Sequence, residues 1–227
     1  MHHGAPLDNH NHRTTFPSLQ SLEGFAHAFT LRHPDIDVKV DREEALRRLE
    51  AWHHEVVAEL GFPVSRLATA CQVHGKGIAV IDSPTGAPLA NMDGLVSNQP
   101  GIMIGIYVAD CCAVYLADPV TGAFGVLHSG KKGTEQNITG EAITLMQERF
   151  GTKPENLVVQ LSPCIRPPVY EVDFAADIRE QARVAGVPAS NVHDDGTCTS
   201  SDPDRFYSYR MEKGKTGRML ALLGRRG

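Results

Sequence analysis

The sequence predicts one α/β domain. Three observations carry this: many short apolar runs bounded by Gly, Pro, Asn and Asp, two or three long helical patterns among them, and no compositional break that marks a linker. At 227 residues the chain has room for a sizeable core. Its 41% hydrophobic and 22% charged content is that of a soluble globular protein rather than a disordered one. A net charge of −5 argues against a general nucleic-acid binder. No apolar run approaches the ~20 residues of a membrane span, and the first residues, MHHGAPLDNHNHR, lack the apolar segment of a secretory signal. These features point to a cytoplasmic protein with a small-molecule substrate and without nucleic-acid or membrane partners.

Taken in order, residues 1–20 are polar and His-rich (His2, His3, His10, His12) and are expected as a flexible tail, leaving 21–227 as the domain. Gly24–Arg32 alternates Phe25, Phe29 and Leu31 as a strand does. Asp41 with Glu44 forms a capping-box pattern that opens a helix to about Leu60, stopped by Gly61 and Pro63. His53 and His54 on that helix are expected at the surface. Leu67–Val73 and Gly77–Asp82 are expected strands. Asp93–Ser97 leads through a turn into an expected strand over Ile102–Val108. Cys112–Ala117 and Ala123–Leu127 make a hairpin around Asp118–Gly122. A helix is expected from about Thr134 to Phe150, a strand over Leu157–Leu161 and a helix over Phe174–Ala185. Residues 189–204 are turn-rich. Phe206–Arg210 is expected as a short aromatic strand, and Thr216–Leu223 as a helix.

The five cysteines (Cys71, Cys111, Cys112, Cys164, Cys198) are odd in number and include no CxxC. That pattern is neither a disulfide framework nor a zinc ribbon. Three polar residues stand at or beside the ends of apolar strands: His74, Cys111 and His128. If those strands end at one sheet edge, the three side chains converge. Two His and one Cys form a zinc tripod with a fourth position for water or substrate. Without metal, the same set is a thiolate with its base. The plainer alternatives remain open here: a cysteine buried in a strand, a core histidine bonded to backbone, and an exposed His74. Gly130-Lys131-Lys132-Gly133 is a candidate anion-binding segment, although it lacks the P-loop frame. Arg32, following a strand, is a second candidate anion anchor. Arg218 is expected as a surface or ion-pair residue.

Several motifs in order carry a family resemblance. They are Gln72-Val73-His74-Gly75, Asp93-Gly94-Leu95-Val96-Ser97, Ala109-Asp110-Cys111 with Leu116-Ala117-Asp118-Pro119, and His128-Ser129-Gly130 with Gly133. After them come Pro163-Cys164-Ile165 with Tyr170-Glu171-Val172, and Phe206-Tyr207-Ser208-Tyr209-Arg210 with Thr216-Gly217-Arg218. From about residue 24 onward the chain resembles the YfiH-like multicopper polyphenol oxidase, or laccase-domain, family, also called peptidoglycan editing factor. The resemblance implies two facing mixed β-sheets with outer helices, a four-layer sandwich related to cytotoxic-necrotising-factor-type hydrolases. It implies a His74, Cys111 and His128 pocket, with zinc (copper also proposed) as the metal, and it selects Cys111 over Cys112. It implies purine nucleoside phosphorolysis or adenosine deamination, with Arg32 and Lys132 on the phosphate and a monomer or homodimer as the assembly. Hydrolytic editing of a peptidoglycan precursor, with Asp110 orienting a His, and a non-enzymatic metal-binding module are the alternatives. Phenol oxidation by several coppers calls for more convergent histidines than the sequence offers. The resemblance also marks a departure after His128, where the usual small-Gly-Trp-Arg-Gly reads Ser129-Gly130-Lys131-Lys132-Gly133. Lys132 keeps the Arg charge without its planar fork.

Overall fold

A computed structural model describes residues 12–84 and 86–227. The histidines His2, His3 and His10 lie outside the described residues. The chain runs β1 (Arg13–Thr14), α1 (Pro17–Gln20), β2 (Phe25–Thr30), α2 (Arg42–Glu59), β3 (Leu67–Cys71), β4 (Ile78–Val80), β5 (Leu89–Ala90) and β6 (Gly94–Ser97). It continues through β7 (Ile102–Val108), β8 (Cys112–Ala117), β9 (Phe124–Ser129), α3 (Lys131–Glu135), α4 (Ile138–Phe150), β10 (Val158–Leu161), α5 (Phe174–Val184), β11 (Val192–Asp194) and β12 (Met219–Arg225).

Two mixed sheets result. The first has the order β1-β2-β12-β7-β3-β5 and the second β11-β10-β8-β9-β6-β4. Strands β3 and β7 pair in parallel, whereas β12 is antiparallel to both β2 and β7. The β8–β9 hairpin sets Ala113 opposite His128 and Ala117 opposite Phe124. Its loop is held by Asp118, whose carboxylate accepts from Val120 N and Thr121 Oγ1.

Strand alternation explains how the sheets face each other. Ile104, Ile106 and Val108 of β7 share one buried cluster with Ala113, Tyr115, Phe124 and Val126 of the second sheet. Tyr115 Oη reaches across and donates to Ala28 O at 2.9 Å, so the phenol's polar end is satisfied inside this layer. On the second sheet's other face, Val114, Leu116 and Leu127 pack with Ile138, Ala142 and Met146 of α4 and with Ile178 of α5. Helix α2 lies on the opposite face of β7, where the His53 ring centroid is 5.7 Å from that of Tyr107. The layers are therefore α2, first sheet, second sheet, and α4 with α5. The expected architecture of two facing mixed sheets with helices outside is the one found.

Asp41 caps α2 by accepting from Glu44 N at 3.0 Å, as the capping box predicts. Six local expectations are corrected. Residues 216–223 do not form a helix: Met219–Arg225 is β12, at the middle of the first sheet. Phe206–Arg210 is not a strand; Phe206 and Tyr207 are buried anchors of a turn-rich segment. The helix expected from Thr134 begins at Lys131 and is interrupted at Asn137, which adopts φ 59°. His53 is buried at 1% exposure, not at the surface. Within the expected tail, residues 12–20 include β1 and α1, and Phe16 and Leu19 enter the core. The short strand β11 lies in the turn-rich stretch expected to be irregular.

Candidate active site

His74, Cys111 and His128 come from three different strand ends and meet. One ligand atom from each lies within 4.8 Å of the other two, and the His74 and His128 rings stand 4.7 Å apart, edge to face. His128 belongs to β9 and shares the inward face with Phe124 and Val126. Cys111 immediately precedes β8 and His74 lies just beyond β3.

Two of the turns that present these residues use backbone geometry uncommon for residues with a side chain. His74 has φ 60° and Asp110 has φ 81°. Each is held by a carboxylate. Asp93, fully buried, accepts from the backbone N–H groups of Val73, His74 and Gly75 at 3.2, 2.9 and 2.8 Å. The same carboxylate lies 2.8 Å from Nδ1 of His128, which leaves Nε2 for the cavity. Asp110 accepts from Thr199 Oγ1 at 2.6 Å, Ser208 Oγ at 3.0 Å and Arg210 N at 2.8 Å. Its bonds secure the loops behind Cys111, and no histidine is among these partners. That corrects the expectation that Asp110 orients a His.

Electrostatics couple the centre. Burial alone would raise the Cys111 thiol, but the His128 charge and hydrogen bonds from His128 and His74 outweigh burial and pull it down. Burial likewise opposes a charged His128, and the Cys111 thiolate with Asp93 raises it. With no metal bound, both shifts favour a thiolate beside an imidazolium. Close approach is enforced at Gly130: a Cβ there would sit 2.5 Å from Cys111 Sγ. The donor set suits a metal, with two imidazole nitrogens, one thiolate and a carboxylate behind one histidine.

The centre opens into a cavity of about 1090 Å³. Lys132, expected to contact an anion, lines it, and so does Lys131. Arg32 does not line it: its guanidinium pairs with Glu212 at 2.6 Å, donates to Phe206 O and lies over the Tyr207 ring at 4.5 Å. Arg218, expected at the surface, is instead 9% exposed and lines the cavity. Its Nη1 donates to Thr216 O and Gly217 O. Sequence reasoning missed Asp93 as the shared support of His74 and His128. The one available signal was an acidic residue opening an apolar strand, and its long-range partners are invisible in one dimension.

The family profile described as multi-copper polyphenol oxidoreductase laccase matches residues 34–183 and 172–226. A relative from Geobacillus stearothermophilus, named purine nucleoside phosphorylase YlmD, is 31% identical over 84% of this chain and 81% of its own length. A purine nucleoside phosphorylase from Deinococcus radiodurans is 31% identical over 87% of this chain and 88% of its own. The crystal structure of YlmD from Geobacillus stearothermophilus superposes with a TM-score of 0.82 at 25% identity, covering 93% of this chain and 94% of that one. A Bacillus licheniformis hypothetical protein YfiH gives 0.81 at 21% identity, covering 91% and 95%, and shows the same fold. The chain belongs to the laccase-domain, YfiH-like family. No helix among the described residues is long and apolar enough to cross a membrane.

Proposed function

We propose that this protein is an enzyme of the purine nucleoside phosphorylase and adenosine deaminase type, acting at His74, Cys111 and His128. The observation that carries the reading is the convergence of these three side chains, backed by Asp93, in a large cavity rimmed by cations. The names of the relatives supply the substrate class.

In this reading His128, oriented through Nδ1 by Asp93, handles the proton at Nε2. It delivers that proton to the departing base in phosphorolysis, as phosphate attacks the ribose carbon. The Cys111 thiolate keeps the imidazole charged and ready to donate. Lys132 steadies the phosphate, and Tyr170 and Tyr209 offer aromatic faces to a purine. Arg32 acts from behind, holding Phe206 and Glu212 in place. For deamination, a zinc ion held by His74, Cys111 and His128 would supply a Lewis acid and an activated water, with His128 then a neutral ligand in place of a proton donor.

The lowered Cys111 thiol favours a second reading, a cysteine-dependent hydrolase of a muropeptide-like amide. The test is incubation with adenosine, with and without phosphate, and chromatography of the products against a Cys111→Ala control. Inosine, or adenine with ribose phosphate, above that control supports the first reading. Its absence, with amino-acid release from a cell-wall precursor, supports the second.

A further inference from the structure

Six cations line the cavity without a carboxylate partner among the described residues: Arg42, Lys131, Lys132, Lys213, Lys215 and Arg218. The chain as a whole carries −5, so the local excess does not reflect composition. The two carboxylates that share the lining have other duties. Asp41 caps α2, and Asp110 accepts three hydrogen bonds from Thr199, Ser208 and Arg210. A further cation, Arg210, is paired with Glu171 at 3.1 Å.

The six come from four separate segments: the start of α2, the start of α3, the turn at 213–215, and the residue just before β12. The lysines are exposed, whereas Arg218 is buried and lies 5.9 Å from the Tyr209 ring centroid. Burial first, and the nearby Arg42 charge second, make the Arg218 cation costly. Two like charges lining one cavity are stabilised by an anion bound near both. A single phosphate dianion, all that phosphorolysis of a neutral nucleoside brings, balances two of the six charges.

We infer that the cavity takes a nucleoside that carries its own phosphate, of the nucleoside 5′-monophosphate class, in preference to the neutral nucleoside. The inference rests on the nucleoside reading above and names the charge state of its substrate. The phosphate of such a ligand meets the cationic rim while the base and sugar reach the His-Cys-His floor.

The experiment is calorimetric titration of the full chain with adenosine and with adenosine 5′-monophosphate. Each titration is run at low and high salt and repeated for Lys213→Gln/Lys215→Gln. The expected result is monophosphate binding tighter by about tenfold or more at low salt, with a gap that narrows as salt rises. The gap also narrows in the double variant, whose two side chains are exposed. Equal affinities, weaker monophosphate binding, or a gap untouched by the double variant would overturn the inference. Product chromatography keeps the two readings apart. Turnover of adenosine without a monophosphate preference sinks this inference alone. A monophosphate preference with no product from either compound sinks the enzymatic reading alone.

Discussion

Asp93 joins two tasks in one carboxylate: it fixes the unusual backbone at His74 and sets the ring orientation of His128. Asp93→Asn puts an amide NH2 where donors already point, so at least one buried N–H loses its acceptor. We expect a loss of about 1–3 kcal/mol in urea unfolding and a fall in turnover of about 100-fold from the misdirected imidazole. An unchanged unfolding midpoint would count against this account. Gly130→Ala tests packing against the thiol. Its methyl would stand 2.5 Å from Cys111 Sγ, so the sulfur must move. Turnover should drop by about tenfold or more while far-ultraviolet circular dichroism stays unchanged. The three converging residues were legible because each is a polar residue close to the end of an apolar strand. Asp93 and Arg218 were not, since their importance depends on partners and burial set by distant strands.

At the scale of elements, local chemistry was legible where it acts locally. The Asp41 cap is formed as its four-residue pattern implies, and Asp41→Ala should cost about 1 kcal/mol in chemical denaturation. A variant as stable as the parent would deny the cap its role. Strand β12 was misread for a physical reason. Met219, Leu220, Ala221, Leu222 and Leu223 are all good helix formers, and burial on both faces erases the alternation that marks a strand. Only pairing with β2 and β7 decides the matter. The break at Asn137 was hidden because Ile138, Ala142, Ile143 and Met146 keep a helical period after it. Phe206 and Tyr207 are buried by packing with no strand beside them, and Tyr209 is exposed, so the aromatic composition of 206–210 misled.

At the scale of the whole molecule, two histidines are buried in different layers. His27 lies between the sheets, where Phe16 N donates to its Nε2 at 2.8 Å, and burial brings its pKa down to about 4. His53 lies between α2 and the first sheet, with neither ring nitrogen hydrogen-bonded, and burial brings it down to about 3. As pH falls below about 6.5, the unfolded chain takes up these protons first, so stability declines towards pH 4. His27 alone contributes a loss on the order of 3 kcal/mol across that window. Urea midpoints at neutral and acid pH measure it, and His53→Leu should flatten the slope. A flat profile in the parent protein would exclude both histidines as its source.

The order in which a ribosome releases this chain gives the central place of β12 a further meaning. The second sheet has all six strands once Asp194 has emerged, whereas the first sheet lacks the strand joining β2 to β7 until Arg225 has followed. A nascent protein therefore passes through a stage with one finished sheet and one divided sheet, its inward apolar face uncovered. Chains ending at Arg218 should be degraded by a protease that spares the full chain, and equal resistance would refute this. The His-Cys-His cluster, assembled from residues numbered 74 to 128, waits on a strand translated some ninety residues later.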